Sequence, residues 1–228
     1  MPLKEDVRLL KSFQSLEEKI IHCRLCPRLV QYREHVPPRA AFKDEPYWRK
    51  PIPGFGDPNA WLLIIGLAPA AHGGNRTGRI FTGDDSGRFL FHCLYEEGFA
   101  SQPLSEYKDD GLILRGCYIT ASVKCAPPQN KPTPKECLNC SQYLHNELYL
   151  LKHLKAVLAL GRLGFDAYRK FAKLEGEDVS HFQFKHGGRY PLKKLPTLYA
   201  SYHPSPQNVN TGKLSEEMFR KVLQEIKD

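Results

Sequence analysis

The segment 60–67 is apolar at nearly every position, without the alternation expected of a strand that has one wet face. A short unbroken run of this kind predicts a strand buried on both sides, here over 61–66. Similar runs at 116–121, at 156–160 ending in Gly161, and at 197–201 predict three more strands. Between them the apolar positions change to helical spacing. Phe89, Phe91, Leu94 and Tyr95 follow Ser86, and Met218, Val222, Leu223 and Ile226 share one face of a helix over 215–226. Val7, Leu10, Phe13, Leu16, Ile20 and Ile21 predict a helix that leads into the first cysteine pair. Thr133, Pro134 and Glu136 have the spacing of a helix start, with threonine as cap and proline in the first turn. Strands alternating with helices predict an α/β fold, with an open, mainly parallel four-stranded sheet flanked by helices on both faces. The whole chain, 1–228, is expected to form one domain. Ligands of such sheets bind at the carboxyl ends of the strands, so the loops 66–87, 121–133 and 201–212 are where function is sought.

Composition narrows the class. The chain carries a formal net charge of +8, which leans towards a polyanionic partner. No apolar run is long enough for a bilayer, so no membrane role is expected. No hydrophobic leader is visible, which points to the cytoplasm, where the seven cysteines would stay reduced and metal binding is the better explanation for clustered thiols. The segment 36–58 is rich in proline and aromatic residues and reads as an irregular covering stretch.

Each of the three loops has an unusual composition. The first, GLAPAAHGGNRTGRIFTGDDSG (66–87), has small residues that let backbone N–H groups approach a ligand. It lacks the ending of a Walker motif and is not GxGxxG. Arg76 and Arg79 are candidates for phosphate contact and Phe81 for stacking on a base; the competing reading is a tight surface turn. The second loop carries Lys124, Cys125 and Asn130, whose amide suits either a base edge or a turn. The third sets His203 at a strand end against Pro204 and Pro206.

Four cysteines recur in two competing sets. Cys23, Cys26, Cys137 and Cys140 have the spacing of a zinc site, whereas Cys23, Cys26, Cys125 and Cys140 suit an iron–sulfur cluster. Spacing alone leaves both open. Cys93 and Cys117 fall on apolar patterns and read as small buried hydrophobes.

Together these stretches resemble the uracil-DNA glycosylase superfamily, and most closely its type B (family 5) iron–sulfur enzymes. The resemblance is carried by CRLCPRLV (23–30), PGFGDP (53–58), GLAPAAHGGNRTGR (66–79), FTGD (81–84), KCAPPQNKPTP (124–134) and ASYHPS (200–205). It implies a [4Fe–4S] cluster on Cys23, Cys26, Cys125 and Cys140, with Cys137 a bystander. It implies Asp84, Asn130 and His203 as the catalytic group, and Gly66, Leu67, Ala68 and Phe81 around an extruded base. Asn75, Arg76, Arg79, Ser205, Gln207 and Asn208 would contact DNA. The expected activity is monofunctional excision of uracil, and of other deaminated bases such as hypoxanthine, from double-stranded and also single-stranded DNA by a monomer. Uracil-specific relatives carry a polar residue after the first strand and an Asn on the second. Here those stretches read Ala68 to Ala71 and Ala121-Ser122, as type B enzymes do, so selectivity is expected to be relaxed. The rival reading is a zinc-stabilised nucleic-acid-binding protein without catalysis.

Overall fold

The computed structural model describes residues 13–228. Val7 and Leu10 of the first expected helix lie outside the described residues. The rest of it forms α1 (Phe13–Ile21), and α2 (Pro27–His35) begins directly after Cys26 with proline in its first turn. The sheet contains β1 (Phe55–Gly56), β2 (Leu62–Gly66), β3 (Cys117–Ala121), β4 (Ala156–Leu160), β5 (Gly188–Tyr190) and β6 (Thr197–Ser201), in the order β1-β3-β2-β4-β6-β5. The four strands expected from the sequence are the four parallel ones at its centre. The expected count of four is corrected to six: β1 and β5 pair antiparallel at the two edges. At two and three residues they are too short to leave a readable period.

The central strands are apolar throughout because both faces are covered. Leu62, Ile64, Leu158 and Leu160 pack with Phe89, Phe91 and Leu94 of α4 (Asp85–Glu96) and with Phe219, Val222 and Ile226 of α8 (Glu216–Lys227). Their neighbours Leu63, Ile65, Val157 and Ala159 point the other way. These meet Leu144 and Leu148 of α5 (Pro134–Leu150) and Phe165, Tyr168 and Phe171 of α6 (Arg162–Leu174). Two short helices, α3 (Gly74–Thr77) and α7 (Pro206–Asn210), lie in the loops after β2 and β6. The capping box at Thr133 and Glu136 forms as the sequence predicts.

Gly66 is in register with Ala121, and Leu160 with Ser201, so the strands end level with one another. The three loops therefore leave the sheet side by side. Ser122 ties two of them together, its backbone N–H and its hydroxyl both donating to the carbonyl of Gly66.

Candidate active site

An open cleft of about 1100 Å³ lies at this edge, lined by Leu67, Ala68, Phe81, Asp84, Asn130, His203 and Ser205. Residues more than a hundred positions apart in the chain thus meet around one hollow, as the loop reading requires. Gly66 lies beneath it. A Cβ there would stand 2.8 Å from the Phe81 ring, so only glycine lets that ring lie flat against the strand end. Phe81, buried at 6% exposure, holds a left-handed φ of 54° and faces His203 with ring centroids 5.8 Å apart. Gln129 and Asn130 are left-handed as well, at 55° and 56°. Each such residue costs about 1–3 kcal/mol. Their concentration at one cleft marks it as a place where side-chain direction outweighs backbone comfort.

Asp84 caps α4, with Oδ1 accepting the Gly87 N–H at 2.9 Å. A Cβ on Gly73 would come within 2.0 Å of Oδ2, so that oxygen is seated against bare backbone. Burial raises the Asp84 pKa, opposed by the bond from Gly87. The carboxylate is thus poorly solvated and gains from any positive charge that develops beside it. Burial drives His203 the other way, down to about 4, and near pH 7 its imidazole is neutral, offering one donor and one lone pair. The His203 backbone is pinned: its carbonyl accepts from Ser205 N–H and from Asn208 Nδ2, both at 2.8 Å.

Several expected DNA contacts fall elsewhere. Asn75 is 1% exposed, and its Nδ2 donates to the Arg33 carbonyl at 3.1 Å. Arg76 is buried against the Phe42 ring and pairs with Glu45 at 2.5 Å. Arg79 reaches Asp110 at 2.6 Å, Ser105 at 2.7 Å and the Lys108 carbonyl at 2.8 Å. All three build the loop, and the expectation that their side chains contact DNA is corrected, because their donors are spent inside the protein. Asn208 is likewise engaged with His203, while Gln207 is exposed and Ser205 lines the cleft. Lys124 of the second loop is 1% exposed and pairs with Glu147 at 2.7 Å. Arg39 was missed. It lies in the irregular covering stretch, where no pattern singles it out, yet it lines this cleft and the adjoining groove of about 880 Å³.

A second, smaller pocket of about 320 Å³ is lined by Cys23, Cys26, Cys125 and Cys140, with Leu25, Leu29 and Val30. Cys137 is not among its lining residues. Each of the four sulfurs has a hydrogen-bond partner. Arg33 Nη1 donates to Cys125 Sγ at 2.9 Å, Lys124 N–H to Cys140 Sγ at 3.2 Å and Asn139 Nδ2 to Cys26 Sγ at 3.5 Å. Tyr143 hydrogen-bonds Cys23. Burial pushes the Cys125 thiol up to about 11 and that of Cys140 higher still. Among the described residues, no group of three or more His, Cys, Asp or Glu is arranged to hold a single metal ion. Arg33, at 2% exposure with its Nε unpartnered, is a second residue that the sequence did not reveal. It sits on a helix of mostly charged and polar residues and gives no apolar or spacing signal.

The pattern of the uracil DNA glycosylase superfamily matches residues 53–227. A type-5 uracil-DNA glycosylase of Thermus thermophilus is 50% identical over 94% of this chain and 96% of its own length. One from Pyrobaculum aerophilum is 46% identical over 92% and 90%. A type-4 uracil-DNA glycosylase of Sulfurisphaera tokodaii is more distant, at 29% over 93% and 84%. With two type-5 relatives this similar end to end, and the cleft assembled from the very stretches that carry the resemblance, the chain belongs to the uracil DNA glycosylase superfamily, in its type-5 branch.

Proposed function

We propose that this protein hydrolyses the N-glycosidic bond of uracil in DNA, releasing the free base and leaving an intact abasic site, the first step of base-excision repair. One observation carries the reading: Asp84, Asn130, His203 and Phe81 line one cleft at the strand ends. The target bond is inaccessible inside a duplex, so the nucleotide is extruded into the cleft at a cost of roughly a few kcal/mol. Phe81 and the backbone of 66–68 receive the base. When the bond between C1′ and the base nitrogen breaks, its electron pair leaves with the base and positive charge develops on the sugar. His203, neutral near pH 7 because desolvation lowers its pKa to about 4, donates a hydrogen bond to the anionic base oxygen. A neutral donor needs no prior proton uptake and stabilises charge only as it forms. Asp84 offsets the sugar cation and Asn130 orients base or water. Water then adds its oxygen to C1′, and the proton it loses neutralises the released base anion.

Among the described residues no lysine lines the cleft, and Lys124 is held in a buried ion pair. Neither supports a Schiff base, and this favours a monofunctional enzyme. Ala121 ends β3, and Ser122 is tied to Gly66. Without an amide at the end of β3 to read the pyrimidine edge, hypoxanthine is an expected second substrate. Duplex DNA carrying such a base is the expected partner, with single strands also accepted.

The cysteine-lined cavity suits a [4Fe–4S] cluster held by Cys23, Cys26, Cys125 and Cys140. Four thiols share one apolar enclosure and each sulfur has a hydrogen-bond partner, the surroundings such clusters take. Bound, the cluster would supply a cross-link between the chain near residue 23 and that near 140, and it takes no part in the steps above.

The test is release of free base from labelled duplexes bearing uracil or hypoxanthine. Wild-type protein is expected to release uracil without breaking the strand before alkali treatment, and D84N to be about 10²–10³-fold slower. Wild-type protein that binds duplexes and releases no base would overturn the reading.

A further inference from the structure

His186 lies in the segment before β5, and its contacts reach both α8 and the strand end that presents His203. Its ring stacks on Tyr202 with centroids 5.0 Å apart and planes 15° from parallel. Its Nδ1 accepts the Tyr202 backbone N–H at 3.2 Å and lies 3.3 Å from Ser201 Oγ. A backbone amide can only donate, so Nδ1 carries the lone pair and the ring hydrogen sits on Nε2. The ring also hydrogen-bonds the backbone of Met218 in α8. The segment is anchored behind it by the Gly187 N–H on the Ala200 carbonyl at 2.9 Å and by the β5–β6 pairing.

Tyr202 is the residue where β6 has ended and the catalytic loop begins. Its N–H has no strand partner left to bond, and His186 supplies the acceptor that a further strand residue would have provided. Phe184 and Lys213 lie against the same tyrosine ring, at 6.2 Å between centroids and 4.6 Å from Nζ. On the far side, Ser205 and Asn208 hold the His203 carbonyl. The imidazole of His203 is therefore aimed by a backbone fixed at both flanks.

We propose that His186 is a positioning residue for the glycosylase reaction: its Nδ1 lone pair holds the Tyr202 amide, so that His203 points at the departing base. The inference rests on the reading of the cleft as a base-excision site. It assigns to the 181–190 segment a role in the rate and not in DNA binding.

The test pairs two substitutions. In H186N the side-chain oxygen stands where Nδ1 stood and keeps the acceptor. In H186Q the corresponding atom is a carbon, while the amide still reaches towards Met218. Single-turnover release of uracil is expected to be about tenfold or more slower in H186Q and within about threefold of wild type in H186N. Both should bind a duplex containing a non-cleavable uracil analogue with unchanged affinity. Equal rates in the two variants, or a loss of affinity that matches the loss of rate, would overturn the proposal. A measurement independent of variants and of activity is hydrogen exchange at the Tyr202 amide of the unaltered protein. Slow exchange, comparable with β6, is expected, and exchange at the speed of an exposed loop amide would also overturn it. If wild-type protein releases no base while that amide is protected, the functional reading has failed and the contact has not.

Discussion

The cleft at the strand ends and the smaller thiol-lined pocket are neighbours built on opposite plans. Adjacent residues of α2 serve them, Tyr32 lining the groove beside the cleft and Arg33 the cavity. The cleft gathers a carboxylate and an imidazole whose pKa values burial moves in opposite directions, on backbone that is left-handed at three residues. The cavity has apolar walls and places a hydrogen-bond partner on every sulfur. On the function proposed above, one hollow serves charge that appears during a reaction and the other charge that is permanent. The first spends stability on function, and the second is expected to return it.

The largest effect expected from breaking this contrast is in rate. H203A should lower uracil release by about 10²–10³-fold in single-turnover assays while leaving the visible spectrum of the purified protein unchanged. D84N should match it in rate without loss of melting temperature. Asn also caps helices, and burial disfavours the charge that the substitution removes. Next comes the cavity: C125S and C140S should lose the visible absorbance of an iron–thiolate cluster and melt at lower temperature, whereas C137S should keep both. Equal loss in C137S would restore the zinc-type set of four. Behind the cavity, Lys124 pairs with Glu147, which also accepts from Gly54 N–H and Thr120 Oγ1. K124M strands that carboxylate and is expected to cost about 3–5 kcal/mol in denaturant unfolding, while the double variant with E147M should cost less. The smallest effect is in pH. The folded-state pKa of His203 is depressed from 6.5 to about 4. Its contribution to stability is therefore present above pH 6.5 and lost as pH falls towards 4. Denaturant unfolding of wild type and H203A at pH 7 and pH 4.5 should show the wild type losing more over that interval.

Much of this was legible in the chain. The unbroken apolar run ahead of Gly66 marked a doubly covered strand because alternate side chains enter opposite cores. The loops that left the strands carried Asp84, Asn130 and His203, and level strand ends bring them to one cleft. Edge strands of two and three residues left no pattern, and neither did the fate of the arginines. Arg76 and Arg79 look like phosphate ligands in a glycine-rich loop, and they stop being so only because Glu45 and Asp110 arrive from other segments.

The order of hydrophobic runs was sufficient by itself for the α/β class and for which loops leave the strand ends, since burial periodicity is a local property. Tertiary structure alone decided which charges face outward, that Cys125 rather than Cys137 lines the cavity, and that His186 reaches the Tyr202 amide. Those outcomes depend on partners supplied across the fold, and a linear pattern holds no record of distance through space.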